Sequence, residues 1–195
     1  MLLAQVHLTL PVWIHEAIDT DRAYPHDDAK MALAIELSQR NIEAKSGGPF
    51  GAALFDQTDR VLAVGVNRVQ PMACSLAHAE NMACMLAQQR LQRARLNVDA
   101  SLDATGGRIG RYTLATSSQP CCQCYGAMIW AGIDRLLIGA RSQDVMQLTG
   151  FDEGPLPEDW LGELARRGIE VVRDLRRAAA CDVLQRYGQS GGAIY

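Results

Sequence analysis

The feature that most constrains this chain is a split motif: His78-Ala79-Glu80 and, about forty residues on, Pro120-Cys121-Cys122-Gln123-Cys124. An imidazole and a pair of thiolates from segments so far apart act together only if the fold brings them to one point. His78, Cys121 and Cys124 would then offer three ligands to Zn²⁺ and leave a fourth tetrahedral position open. Catalytic zinc sites keep such a position, whereas structural sites usually close it with a fourth side chain. Cys122 is the alternative ligand and would close the site. Adjacent residues on a helix face different directions, which favours Cys121 together with Cys124. Glu80, two residues past the histidine, stands where it can handle protons beside the open position without binding the metal.

At 195 residues the chain fits one domain with short extensions. Residues 1–26 read as an N-terminal extension and residues 27–195 as the metal-dependent domain with its C-terminal tail. Apolar residues are 48% and charged residues 21%, ordinary for a soluble protein, and the net charge of −3 speaks against a nucleic acid as main partner. The arginine runs Arg90/Arg93/Arg95 and Arg173/Arg176/Arg177 read as solvated helix faces. The start of the chain lacks the cationic-then-apolar pattern of a secretory signal, and no segment reaches the roughly 20 apolar residues that span a bilayer. A soluble, cytoplasmic protein is expected, with no membrane partner. Cysteines crowded at 121–124 suit metal chemistry better than disulfides, and the scattered Cys74, Cys84 and Cys181 read as small buried hydrophobes.

Apolar periodicity and punctuation predict a helix after Asp27-Asp28 to about Ala44, ended by Gly47-Gly48-Pro49. A hairpin of Phe50–Phe55 and Val61–Val66 should follow, then a helix over Ala77–Arg95. Gly106-Gly107 breaks the chain before a strand at Tyr112–Thr116, and Pro120 opens a helix carrying Cys121, Cys124 and Trp130. A strand at Arg135–Ala140, short helices at Gln143–Leu148 and Glu158–Arg167, and a strand at Gly168–Val172 come next. The last helix runs from about Arg173 to Tyr187, with Gly188 as its stop. Alternating strands and helices imply an α/β domain with helices on both faces of a sheet. Both metal segments fall at helix starts, whose partial positive charge favours thiolate over thiol.

His-x-Glu followed by Pro-Cys-x-x-Cys is the pattern of zinc-dependent nucleobase deaminases. With Gly47-Gly48-Pro49-Phe50-Gly51-Ala52, Asn67, Thr116-Ser117, Gly126-Ala127, Trp130 and Gly150-Phe151-Asp152-Glu153 in the same order, residues 27–155 resemble the guanine deaminase branch of the cytidine deaminase superfamily. That resemblance implies a three-layer α/β/α sandwich with a five-stranded mixed sheet, one Zn²⁺ per chain and assembly as a homodimer. It implies that Asn67 hydrogen-bonds the base and that Phe50 and Trp130 line a flat pocket. It also implies that Glu153 helps move protons or binds the purine edge, consistent with a carboxylate on a Gly/Pro-bounded loop. Gln119 departs from the glutamate common before the Pro-Cys pair, and Tyr195 stands at the end of a tail that in related enzymes can cover an active site.

The reaction expected on this basis is hydrolytic deamination of a free base, guanine and water giving xanthine and ammonia, or of an amino-triazine such as ammeline. A cytosine, cytidine or tRNA adenosine deaminase is the alternative. Outside that class stand a non-catalytic module stabilised by zinc and a redox protein using Cys121 and Cys124.

Overall fold

The computed structural model describes Leu2, residues 4–98 and residues 111–195; the break read at Gly106-Gly107 lies outside the described residues. After a short helix α1 (Ile14–Ala17) come α2 (Asp27–Glu43), β1 (Gly51–Phe55), β2 (Val61–Val66), the single turn α3 (Val69–Met72) and α4 (Ala79–Leu91). There follow β3 (Thr113–Ser118), α5 (Cys122–Ala131), β4 (Arg135–Ala140), α6 (Ser142–Thr149), α7 (Trp160–Arg166), β5 (Glu170–Val172) and α8 (Arg177–Gln189).

The five strands lie in the order β2-β1-β3-β4-β5. β1 runs antiparallel to β2 and β3, while β3, β4 and β5 are mutually parallel, so the sheet is mixed. Side chains alternate across it. Ala53, Phe55, Ala115 and Leu137 join Met31 and Leu37 of α2 and Val183 and Leu184 of α8 on one face. Ala52, Leu54, Leu114, Leu136 and Ile138 join Ala79 and Ala83 of α4 and Met128 of α5 on the other. These are the three layers of an α/β/α sandwich. The hairpin turn is made by Asp56, whose Oδ1 accepts from the Thr58 and Arg60 N–H groups at 2.8 and 3.1 Å, with Asp59 in the left-handed region (φ 61°).

Several boundaries differ from the sequence reading for identifiable reasons. Asp27 and Asp28 sit inside the first turn of α2 rather than capping it, and Asp27 is bonded to Arg135 of β4. α4 stops at Leu91 because Gln92 turns left-handed (φ 53°). α8 begins four residues later than Arg173, after Asp174 and Arg176 adopt positive φ. Gly188 does not stop that helix. It lies within α8, where a Cβ would come 2.1 Å from the Leu148 carbonyl of α6, and the left-handed residue after the helix is Gly191 (φ 69°).

The arginine runs are more than solvated faces. Arg176 bonds Asp28 at 2.9 Å, Arg177 bonds Asp144 at 2.7 Å, and Arg90 donates to the Leu62 carbonyl at 2.9 Å. Of the scattered cysteines only Cys84 is buried; Cys74 and Cys181 are half-buried. The N-terminal extension is not loose, since Ile14 and Tyr24 are both buried in the core beneath α2. Among the described residues no helix is long and apolar enough to cross a membrane.

Candidate active site

His78 is the cap residue of α4 and Cys121 the cap residue of α5, both with extended backbone (ψ 156° and 174°). Each side chain therefore stands at a helix mouth rather than on a helix flank. Gln119 and Pro120 carry the chain from β3 into α5, so Pro120 precedes the helix instead of opening it. Cys124, fully buried in the first turn of α5, completes the group. His78 Nδ1 lies 3.5 Å from the sulfurs of both Cys121 and Cys124, and all three ligand atoms lie within 4.8 Å of one another. Cys122 points away: it is exposed, and its sulfur lies against Gly154.

The charge states of this trio suit a cation. Cys121 is held down at about 4, first by the hydrogen bond from Cys124 and then by His78, with burial opposing. Cys124 is pushed well above the usual thiol range by the same shared bond, by burial and by the Glu80 charge. Burial opposes protonation of His78, but its bond to Cys121 and the nearby negative charges outweigh that and raise its pKa. Protein groups alone thus let only one of the two sulfurs ionise. A soft divalent ion held by two thiolates and an imidazole removes the conflict, and this donor set fits Zn²⁺.

Glu80 is buried against the trio. Its Oε1 accepts from Thr116 Oγ1 of β3 at 2.9 Å, and its Oε2 lies 3.3 Å from Cys124 Sγ. Burial, then the Cys121 charge, raises its pKa, with the Thr116 bond opposing. Glu153 reaches the same cavity from the loop after α6. It is 8% exposed, and burial, then the charges of Cys121 and Glu80, push it up to about 8. Its carbonyl accepts from the Cys122 N–H at 3.0 Å, tying that loop to the start of α5.

Phe50 and Asn67 line the cavity with His78, Cys121, Glu80 and Glu153; the empty space, mouth included, is about 450 Å³. Asn67 is 1% exposed, and its Oδ1 already accepts from the Gly48 and Val69 N–H groups at 3.4 and 3.2 Å. The asparagine thus braces a turn, and its amide nitrogen is what it has to offer the cavity.

Trp130 is the exception. It is 76% exposed and lies beside Arg95, Ile129 and Ile133 on another side of α5, so within one chain it lines no part of this cavity. The aromatic wall comes instead from Phe151, packed edge-on against Phe50 at 5.3 Å and against Tyr195 at 4.9 Å. A Cβ on Gly48 would meet the Tyr195 hydroxyl at 2.1 Å, so the glycine makes room for the tail. Gln119 is a further wall residue. Phe151 and Gln119 could have been sought from adjacency alone, since each neighbours a motif; Tyr195 lines the cavity, consistent with the covering tail that the resemblance suggested, though nothing local marks its return.

Residues 25–140 match the cytidine and deoxycytidylate deaminase zinc-binding region. The chain is similar to a solved guanine deaminase from Nitrosomonas europaea, at 40% identity and a TM-score of 0.84, with 97% of this chain and 99% of that one covered. A guanine deaminase of Bacillus subtilis is 30% identical over 63% of this chain and 69% of its own length. A probable cytosine deaminase of Schizosaccharomyces pombe is 32% identical over 63% of this chain, which spans 65% of that relative. With the family match extending over more than half of the chain and the three ligands converging at two helix mouths, the protein belongs to the zinc-binding cytidine and deoxycytidylate deaminase family.

Proposed function

We propose that the protein is a zinc-dependent aminohydrolase of free purine bases, converting guanine and water to xanthine and ammonia. The observation that carries this reading is a pair of buried carboxylates, Glu80 and Glu153, facing one small cavity beside the His78-Cys121-Cys124 trio. Near full-length similarity to a guanine deaminase supports the choice of base over a pyrimidine.

Zn²⁺ bound there supplies the Lewis acidity that makes water nucleophilic at neutral pH. The remaining chemistry belongs to the chain. Glu80, fixed by Thr116, takes the proton of the attacking water and delivers it to the ring nitrogen. Water adds at the carbon bearing the amine; as the carbonyl forms, the added hydroxyl gives up its remaining proton, and the amine, protonated in turn, leaves as ammonia. Glu153, whose pKa is raised first by burial, is placed to give the amine its proton and to take up the one the hydroxyl releases. Asn67 offers its amide N–H to an acceptor on the base, and Phe50 supplies a flat apolar wall. An amino-triazine such as ammeline presents a comparable edge.

The same reading takes residues 27–195 as the catalytic domain, a homodimer as the working unit, the cytoplasm as its place and no nucleic acid as partner. Sedimentation at micromolar concentration checks the assembly. Steady-state assays with guanine, ammeline, cytosine, cytidine and adenosine check the substrate. Turnover of guanine is expected, and reaction with the pyrimidines alone overturns the assignment.

A further inference from the structure

Arg68 is buried at 8% exposure, yet among the described residues it bonds no carboxylate. Burial alone lowers its pKa, so its charge is held at a cost and is fixed by geometry rather than by a counter-ion. Its guanidinium donates to two main-chain carbonyls, Thr9 O at 3.1 Å in the N-terminal extension and Ser46 O in the turn after α2. The extension reaches that turn a second time, through Trp13 Nε1, which donates to Ser46 Oγ at 3.1 Å. Ser46 Oγ donates in turn to Asn41 Oδ1 at 2.7 Å. Asn41 Nδ2 spans the gap between the cavity walls, donating to Gly48 O at 2.8 Å and Asn67 O at 3.0 Å. The fit there leaves no slack: a Cβ on Gly47 would lie 1.8 Å from Asn67 O. One connected set of hydrogen bonds therefore runs from Thr9 and Trp13 to the two segments that carry Asn67 and Phe50.

We propose that Arg68 and Trp13 are positioning residues, through which the N-terminal extension fixes Asn67 and the Gly48–Phe50 wall in the geometry that binds the substrate ring. The proposal rests on the reading of Asn67 as a contact to the base. Neither residue lines the cavity. Their effect is transmitted through Ser46 and Asn41, and its consequence is in substrate binding rather than in proton transfer at Glu80.

Trp13→Phe keeps an aromatic ring against the core and removes only the indole N–H; Arg68→Lys keeps the charge and loses the fork that holds two carbonyls. In the zinc-loaded enzyme each should raise KM for guanine by roughly fivefold or more, with kcat per bound zinc little changed. A residue with a merely structural role would lower thermal stability and leave KM alone. In an Asn67→Ala background the KM effect of Trp13→Phe should shrink, because part of it passes through that contact. Amide hydrogen exchange supplies a readout free of any substrate: the Gly48 and Val69 N–H groups, both bonded to Asn67 Oδ1, should exchange faster in Trp13→Phe while amides in the middle of α2 keep their protection. An unchanged KM in both variants, a KM effect undiminished by Asn67→Ala, or unchanged exchange at Gly48 and Val69 overturns the proposal. If the wild-type enzyme fails to turn over guanine, the functional reading falls, and the exchange measurement alone then decides the positioning role.

Discussion

Glu80 lies beside the trio and Cys122 points away from it, and the two should respond to substitution in opposite ways. Glu80→Gln preserves the Thr116 contact and the side-chain volume, so zinc content and melting temperature should stay near wild type. Turnover should fall by about 10²–10⁴ through loss of the proton carrier; metal analysis beside steady-state kinetics checks both halves. Cys122→Ser should keep zinc and activity, because that sulfur is exposed and faces Gly154. Cys121→Ser or Cys124→Ser should lose most of the metal after dialysis. At this scale the motif residues were legible because spacing at a helix start fixes where side chains converge. Trp130 was not, for a reason the same geometry supplies: six residues beyond Cys124 is a rotation of about 240° around the axis, away from the trio. Asn67 was readable as a polar residue after a strand, but its bracing of two backbone N–H groups depends on Gly48, which is remote in sequence.

Packing between elements decides whether the ligands stay where the motif needs them. α4 lies directly on β2, and a Cβ on Gly65 would come within 1.9 Å of Ala79 O and 2.7 Å of Ala83 N. Gly65→Ala should therefore push α4 off the sheet and destabilise the protein by about 1–3 kcal/mol, read as a lower urea midpoint with reduced zinc retention, since α4 carries His78 at its mouth. A second prediction concerns the tie between α2 and β4. The hydrogen bond and charge of Arg135 hold the Asp27 carboxyl below its ordinary value of 3.8. A depressed pKa adds stability that is complete above 3.8 and is lost as pH falls through the folded value. Asp27→Asn should thus cost roughly 1 kcal/mol at pH 7 for so partly exposed a pair, and the gap from wild type should close below about pH 4. Urea titrations at pH 7, 5 and 3 give the sign. Strand and helix types were readable from periodicity, whereas boundaries shifted wherever a residue turned left-handed, as at Gln92 and Arg176. The close approach of α8 to α6 at Gly188 looked from the sequence like a stop, because a glycine needed for proximity and one needed for a turn are spelled alike.

Across the whole molecule, two complete apolar clusters flank the sheet independently of the trio. Removal of zinc by a chelator should accordingly leave the far-ultraviolet dichroism nearly intact while lowering the melting temperature, because the ion binds the folded state selectively. Loss of all secondary structure would mean that the metal, not the sandwich, carries the fold. The layered architecture was legible from the alternation of elements. The enclosure of the cavity was legible only in part: the resemblance pointed to the tail, which returns Tyr195 to Phe151, but no local pattern encodes the bond from Trp13 of the extension to Ser46. The bond from Cys122 N–H to the Glu153 carbonyl has a practical corollary. It couples the segment bearing the outer acid to the very residue between the sulfurs, so shortening or remodelling that stretch upstream of Gly154 would tug on the metal cradle. The exposed Pro155 and Pro157 just downstream lie beyond that tie, so changes there should leave the cradle undisturbed.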